Sequence, residues 1–522
     1  MSDVPIELLD LELAWKRVKL DIPHRVFVRN PFEVQLLEKD LSSYLNHLTE
    51  KIQKDRYYPK SMYVCDVPKG EDLLRPGSLL SVEDRIVYYA CLGACLPHIY
   101  DTLKWSQGSV EFSYAMSNDF ENAQWLENSF VSWEKFRTTS LEKIDASVSH
   151  VILTDISGYY ENIDIITLMS DLRSIGVHSH IVDLLSKCLN RWAQTNGRGI
   201  PQGYAPSDFL GKLYLNSVDL NLRAMGFEHL RYVDDIRIFC KGKVEARKAL
   251  VELNKLLRRR GLNFQSAKTR ICLASKARTT IDGIQPTLQP IIKDFIEAFS
   301  IDNPYFSVAQ ADELLEKITQ ETPVEVLRNA FRKHFIESND ESFDKTLFHF
   351  LVNRLGKSKD AYALDYCLTL LESHPEETFY ILKYIKSVDA INQTEDSIVE
   401  LLRSESAVYP YQSYQILEWF SEYAQNPSKE LLAIARQIAF DKSQPKYLKA
   451  VSRKLIGEFG TSADLERLES LYSDLDDEIE KCEIICCLKN LEKTRRNSFL
   501  SRARHDGKLA EIASDLVKGG NI

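Results

Sequence analysis

The chain has 522 residues, 44% of them hydrophobic and 27% charged, with a formal net charge of −10. That length and balance exclude a disordered or fibrous chain and leave room for two or more domains with proper cores. The acidity is uneven: of 66 basic and 76 acidic side chains, residues 1–280 hold 37 and 35, which leaves 29 and 41 and a net of −12 for the remainder, and this excludes the C-terminal half as the main phosphate-binding surface.

Asp3, Glu7, Asp10 and Glu12 stand where a secretory leader would carry basic and then apolar residues, and no run approaches the roughly 20 apolar residues that span a bilayer. A soluble, intracellular protein is expected. The ten cysteines form no paired CxxC pattern. Cys91/Cys95 and Cys482/Cys486 are spaced four apart within helix-like runs, which fits buried thiols rather than zinc ligands or a disulfide framework.

Residues 1–50 read as an N-terminal helical segment, with Leu36, Leu37, Leu41, Tyr44, Leu45 and Leu48 on one face and Pro59 as the stop. Ser81, followed by Glu83, Asp84 and an apolar-periodic run, is a helix start. Val151-Ile152-Leu153-Thr154-Asp155 is an apolar strand ending in a carboxylate. Gly199-Ile200-Pro201-Gln202-Gly203 is a loop, and an apolar, helix-like run follows from Phe209 to Leu222. Leu230–Val233 and Ile236–Cys240 are two short strand-like runs around Asp234 and Asp235, the pattern of a hairpin with a carboxylate pair at its tip. Taken alone, such a tip reads as a solvated turn. Together with Asp155, the carboxylates could hold two divalent metals for nucleotidyl transfer. Arg258-Arg259-Arg260 reads first as a solvated helix end, with a phosphate-backbone contact as the alternative.

In this order and spacing the motifs resemble those of the reverse transcriptases, over roughly residues 50 to 275. Asp155 with Tyr159-Tyr160 is similar to their first palm motif, Gly199–Gly203 with Ser207 to the template and nucleotide loop, and Tyr232-Val233-Asp234-Asp235 to the Tyr-x-Asp-Asp box. The resemblance implies Asp155, Asp234, Asp235 and Lys268 as catalytic residues, and Asp155, Ile156, Asp234 and Asp235 as ligands of two Mg²⁺ or Mn²⁺ ions. Lys268, in a stretch similar to the following family motif, would protonate the leaving pyrophosphate; a plain surface lysine is the other reading. Tyr160 would be the aromatic gate that excludes a 2′-hydroxyl, or else a core tyrosine, and Gln202 would bind nucleotide or template. Arg75-Pro76 and Asp84-Arg85-Ile86-Val87 resemble fingers motifs of bacterial, intron-like members, in which arginines face triphosphate or template, although Arg85 also has Asp84 and Glu83 beside it as ion-pair partners. Ser113-Tyr114 departs from the intron-type pattern, since Ala115-Met116 follows.

Beyond Ala274 the signals change. Thr287–Pro290 and Asp302–Pro304 punctuate a linker, and from there the chain reads as helix after helix, with Leu347–Leu351, Ile381–Ile385 and Ile398–Leu402 as buried faces. Tyr447–Gly457 and Cys482–Asn490 are loosely alike, some thirty-odd residues apart, the period of helical-pair repeats. No ribonuclease H domain, endonuclease motif or obvious thumb signature is present. The expected fold is therefore α+β: fingers and palm at 51–280, then an all-α, HEAT-like repeat domain at 281–522. This architecture resembles the abortive-infection reverse transcriptases of P2-prophage type. That resemblance implies phage defence in the bacterial cytoplasm, homo-oligomers, and template-free DNA synthesis from dNTPs, primed by a tyrosine of the protein and leaving the product covalently attached. Tyr44, Tyr57 and Tyr58, ahead of the fingers, are the primer candidates. Two other readings stand beside it: a templated enzyme with a partner RNA, as in retrons, and a catalytically dead scaffold. The intact carboxylates argue against the scaffold, because clustered like charges without metal are unfavourable.

Overall fold

A computed structural model describes residues 6–23, 27–70, 72–126, 129–146, 148–282, 324–338 and 343–520; the linker signals at 287–290 and 302–304 lie outside them. By contacts the chain divides into two units. The first comprises Met1–Arg29, Asp40–Cys65 and Pro76–Gly283; the second comprises Asn30–Lys39, Asp66–Arg75 and Ile284–Ile522. The N-terminal segment that the sequence sets apart is thus shared between them.

The N-terminal helices are α1 (Leu11–Asp21), α2 (Glu33–Lys39) and α3 (Leu41–Gln53). α3 ends at Gln53, six residues before Pro59, and just beyond it the backbone of Asp55 turns left-handed at φ 49°. A two-stranded sheet follows, β1 (Tyr63–Lys69) with β2 (Leu73–Leu79). Helix α4 (Val82–Leu103) starts where its sequence says it should: Ser81 Oγ accepts the Asp84 amide at 3.2 Å, satisfying one of the N–H groups a helix start leaves open.

After α5 (Ser129–Asp145) comes β3 (His150–Thr154). Four helices then intervene, α6 (Tyr159–Asn162), α7 (Ile165–Ser174), α8 (Ser179–Trp192) and α9 (Ala205–Ala224), before the hairpin β4 (Glu228–Tyr232) and β5 (Asp235–Cys240). Helix α10 (Lys243–Arg259), β6 (Arg270–Leu273) and α11 (Ala274–Ile281) complete the unit. The sheet order is β4-β5-β3-β6, antiparallel throughout. Alternation sorts its two faces. Val151, Leu153, Leu230, Phe239 and Cys272 pack with Phe136 and Ile144 of α5 and Ala277 and Ile281 of α11. Ile152, Ile236 and Ile238, all buried, point the other way, where α9 and α10 cover the sheet.

The described part of the second unit is mainly helical: α12 (Val324–Phe331), α13 (Lys345–Lys357), α14 (Leu364–Ser373), α15 (Thr378–Ser387), α16 (Ile391–Arg403), α17 (Pro410–Tyr423), α18 (Lys429–Phe440), α19 (Lys446–Phe459), α20 (Ser462–Leu471), α21 (Glu478–Cys487), α22 (Lys493–Ala503) and α23 (Lys508–Lys518). Alternate helices stack. The odd members α13 to α23 run in one series, and α14, α16 and α18 in another. Close approach is needed between α19 and α21, where a Cβ on Gly457 would lie 2.6 Å from the Cys487 carbonyl oxygen. Asn490 donates to the Gly457 carbonyl at 3.0 Å, which locks together the two stretches that look alike in sequence. All ten cysteines are buried free thiols. No described helix is long and apolar enough to cross a membrane.

Candidate active site

Asp155 stands immediately after β3. The Gln265 amide donates to the Asp155 carbonyl at 2.8 Å and the Ser157 amide to the Asn263 carbonyl at 2.9 Å, so the chain at Asp155, Ile156 and Ser157 is tied to the segment that carries Lys268. This puts Lys268 Nζ 2.5 Å from Asp155 Oδ2. Ile156 itself is buried, bridged to Phe264.

The sequence places both Asp234 and Asp235 in the turn. The structure places Asp235 in β5, paired across the hairpin with Tyr232, so the turn proper is Val233-Asp234. Val233 lies in the left-handed region at φ 55°, a conformation that two-residue hairpins of this kind reserve for glycine and that costs a β-branched residue on the order of 1–3 kcal/mol. What holds it there is Arg231. Its guanidinium donates to the Val233 carbonyl at 3.0 Å and to Asp219 of α9 at 2.6 and 3.1 Å, entirely buried. Asp219 also meets His229 at 3.2 Å. Burial works to raise the Asp219 carboxyl, but Arg231 and His229 outweigh it and hold the group below its usual range. The segment at 110–112 closes the open edge of β4: Arg231 donates its amide to the Val110 carbonyl at 2.7 Å and accepts from Phe112 at 3.0 Å. This brings Glu111 to Lys212, a fully buried pair at 2.7 Å. On the opposite face of the sheet, Trp133 packs edge-on against Tyr232, and Arg237 lies 3.9 Å over the Phe136 ring while reaching Asp235 at 3.3 Å.

The three carboxylates share one electrostatic neighbourhood. Burial and, next, the charge of Asp155 push Asp234 up to about 6. Burial raises Asp235 as well, against the pull of Arg237. Lys268 is raised above its ordinary value by its hydrogen bond to Asp155, then by the charges around it, and stays a cation. Among the described residues no three His, Cys, Asp or Glu side chains already stand as a metal cage. Asp155 is engaged with Lys268 and Asp235 with Arg237. The donor set is nonetheless all carboxylate, the chemistry that hard divalent cations take, and the mutual repulsion of Asp155 and Asp234 is what such a cation relieves.

Tyr160 starts, with Tyr159, the single-turn helix α6. Its hydroxyl donates to Asp208 of α9 at 2.7 Å, and burial together with Asp208 keeps the phenol neutral. A Cβ on Gly211 would meet both tyrosine rings at 3.2 and 3.4 Å, so glycine there admits them. Gln202 is half-buried in the loop before α9. Its backbone N–H donates to Ser78 Oγ at 2.8 Å, and the Tyr204 hydroxyl donates to the Ser78 carbonyl at 3.0 Å, which ties this loop to the end of β2. Arg75 is exposed on β2, whereas Arg85 is only 5% exposed within α4, so a phosphate contact by Arg85 is not presented to solvent. Tyr44 and Tyr57 are also buried, at 4% and 3%, and the Tyr57 hydroxyl donates to Asp84 at 2.7 Å. Of the three primer candidates only Tyr58, 70% exposed with Lys187 Nζ 4.6 Å over its ring, offers its phenol to solvent. Sequence reasoning missed Arg231, Asp219, Glu111, Lys212 and Arg237. A charge inside a strand, as at Arg231 and Arg237, was the signal available for two of them.

The model of the family described as reverse transcriptase (RNA-dependent DNA polymerase) matches residues 67–327, half of the chain. Among solved structures, telomerase from Candida albicans in complex with a TWJ fragment of telomeric RNA is 13% identical, at TM-score 0.32, covering 74% of this chain and 69% of that one. Apo telomerase from Candida tropicalis is 12% identical at TM-score 0.29, covering 90% and 74%, and the Candida tropicalis enzyme with a TWJ fragment of telomeric RNA is 12% identical at 0.30, covering 86% and 68%. No curated protein matches the chain.

Proposed function

The chain belongs to the reverse transcriptase (RNA-dependent DNA polymerase) family, and we propose that it is a phage-defence DNA polymerase that joins deoxynucleotides without a template, starting from one of its own tyrosines. Family membership makes it a nucleotidyltransferase of the RNA-directed DNA polymerase class, and such domains generally use divalent metal ions such as Mg²⁺. The observation that carries the chemistry is the contact of Lys268 with Asp155, beside Asp234 and Asp235 and coupled to both by charge.

Asp155, Asp234 and Asp235, with Ile156 beside the first, would hold two divalent ions, which when bound activate the attacking hydroxyl and neutralise charge on the leaving pyrophosphate. Lys268, kept cationic, is the proton donor and counter-charge at the leaving group. Tyr160, its ring fixed by the bond to Asp208, closes the space where a 2′-hydroxyl would sit, and Gln202 on its pinned loop binds nucleotide. Arg75, exposed on β2, contributes a phosphate contact.

The finer reading rests on architecture. A compact polymerase unit is joined to a long run of helices whose alternate members stack, which we read as a HEAT-like array and as the part that assembles with further copies of the chain. For priming, the accessibility of Tyr58 favours it over Tyr44 and Tyr57. A templated reaction with a partner RNA is the second reading, favoured by the RNA-dependent character of the matched family.

The test is to treat the purified protein with ribonuclease and add Mg²⁺ with each labelled deoxynucleotide. The sample is then boiled in detergent and run on a gel beside Asp234→Ala and Tyr58→Phe variants. Label that migrates with the protein, is removed by deoxyribonuclease and is absent from Asp234→Ala supports protein-primed synthesis. Its loss in Tyr58→Phe identifies the primer. Incorporation only when RNA and a separate primer are supplied selects the templated reading instead.

A further inference from the structure

We propose that the solvent face of α10 is a binding track for the phosphodiester backbone of a single nucleic-acid strand, the growing DNA in the first instance. The choice of DNA rests on the function proposed above; the binding itself does not.

The observation is a concentration of charge. Residues 1–240 hold 25 basic and 33 acidic side chains and residues 281–522 hold 29 and 41, whereas residues 241–280 hold 12 basic and only 2 acidic. The most strongly positive stretch of the chain is therefore α10, β6, α11 and their connections, a net of +10 in a protein of −10. On α10 the charge is ordered. Buried Ala246, Ala249, Leu253, Leu256 and Leu257 form one side of the helix, against the sheet. At 100° per residue, Lys243, Arg247, Lys248, Lys255, Arg258 and Arg259 share an arc of about 160° on the other side, and all six are exposed. Lys255 pairs with Glu252 at 2.7 Å; the other five side chains meet no hydrogen-bond or ion-pair partner among the described residues. Arg260 is the exception in its triplet, turned inward over the Tyr214 ring and bound to Asp171.

Like charges gathered on one helix face repel one another, and a polyanion offsets that repulsion while releasing its own counterions. The helix has 17 residues, so at ~1.5 Å per residue the track is about 25 Å long. Its C-terminal end runs through Gly261 into Asn263 and Gln265, the residues bonded to Ser157 and Asp155, so the track ends at the catalytic end of the sheet. The apolar members of the arc are Val244 and Val251, 66% and 53% exposed. Neither is the long or aromatic side chain that an interfacial membrane helix inserts, which favours nucleic acid over an anionic lipid surface.

The experiment uses the full chain with a labelled single-stranded DNA or RNA of about 20 nucleotides, longer than one such site, and reads affinity by anisotropy across salt concentrations. For K243Q/R247Q/R258Q/R259Q the slope of log K against log salt should shrink by about 0.7 per cation removed, and affinity near ~0.1 M salt should fall on the order of 100-fold. A charge-matched control in the second unit, K357Q/K383Q/K429Q/K442Q, should bind as the unaltered chain does. Asp234→Ala should bind normally while failing to incorporate nucleotide, which separates this proposal from the polymerase reading. An α10 variant with unchanged slope and affinity and an unaltered melting temperature would overturn the track, as would binding of anionic phosphatidylserine vesicles with no binding of either oligonucleotide. Loss of binding by the control variant to the same extent would overturn it as well.

Discussion

Both units bury charge, and they do it with opposite results. In the first, Arg231 lies between Asp219 and the Val233 carbonyl, with His229 on the far side, and Lys212 is matched to Glu111. Charges are paired closely enough that Asp219 stays ionised despite its burial. In the second, one buried guanidinium, Arg453, serves two carboxylates, Glu480 at 3.2 Å and Glu483 at 3.5 Å. Glu480 has Lys446 at 3.0 Å as well; among the described residues Glu483 has, beyond Arg453, only the neutral Asn30 amide at 2.8 Å. Burial, against the pull of Arg453, therefore pushes Glu483 up to about 8, and near neutral pH it holds a proton. A matched cluster can hold a turn under strain. A short-handed one ties helices together and titrates.

The matched cluster should break hardest. Arg231→Met leaves Asp219 buried with His229 in place of its main counter-charge, a loss of about 3–5 kcal/mol, and frees the Val233 carbonyl. Arg231→Lys keeps the charge but not the fork, so it should recover stability in denaturant melts more fully than kcat, with KM for deoxynucleotide little changed. If stability and kcat recover in step, Arg231 supports the fold and nothing more. Arg453→Met should cost less, about 1–3 kcal/mol, because the protonated Glu483 it leaves behind is neutral and needs only a hydrogen bond; an equal or larger loss than for Arg231→Met would remove the distinction.

The pH dependence sharpens it. A carboxyl raised in the folded state holds a proton that the unfolded chain releases, so its contribution is whole below its ordinary range near 4.5 and is lost as pH climbs to about 8. The melting temperature of the second unit should fall across that window, and Glu483→Gln should flatten the curve; a variant that still falls as steeply would place the titration elsewhere. Asp219 has the opposite sign. Its pairing contributes at neutral pH and is lost only as acid reaches its lowered range. The smallest effect is expected at Val233→Gly, which relieves the left-handed strain and should raise stability by about 1 kcal/mol. Thermal melts would detect it, and destabilisation instead would mean that the valine side chain contributes more than its backbone costs.

Local rules made much of this legible. Ser81 caps a helix because its hydroxyl is three residues from the amide it accepts, and Val151 to Leu153 and Ile236 to Phe239 read as strands because each is a short run rich in β-branched and apolar residues. The cysteine spacing and the apolar helices of the second half were readable for the same reason. The division of the turn was not. Asp234 and Asp235 are identical in type and adjacent, and only the register Tyr232 to Asp235 decides that one caps the hairpin while the other pairs within it. Nor did Pro59 end its helix, since Asp55 had already turned the chain.

The sequence by itself determined the elements, the order of the carboxylates and the family they belong to, because each depends on residues close along the chain. Tertiary structure alone decided which tyrosines are covered, that Asp155 meets Lys268 across 113 residues and that Glu111 meets Lys212 across 101. Pairings of that kind are set by how the sheet and its helices close on one another, and burial then decides, through desolvation, which of the buried charges persist.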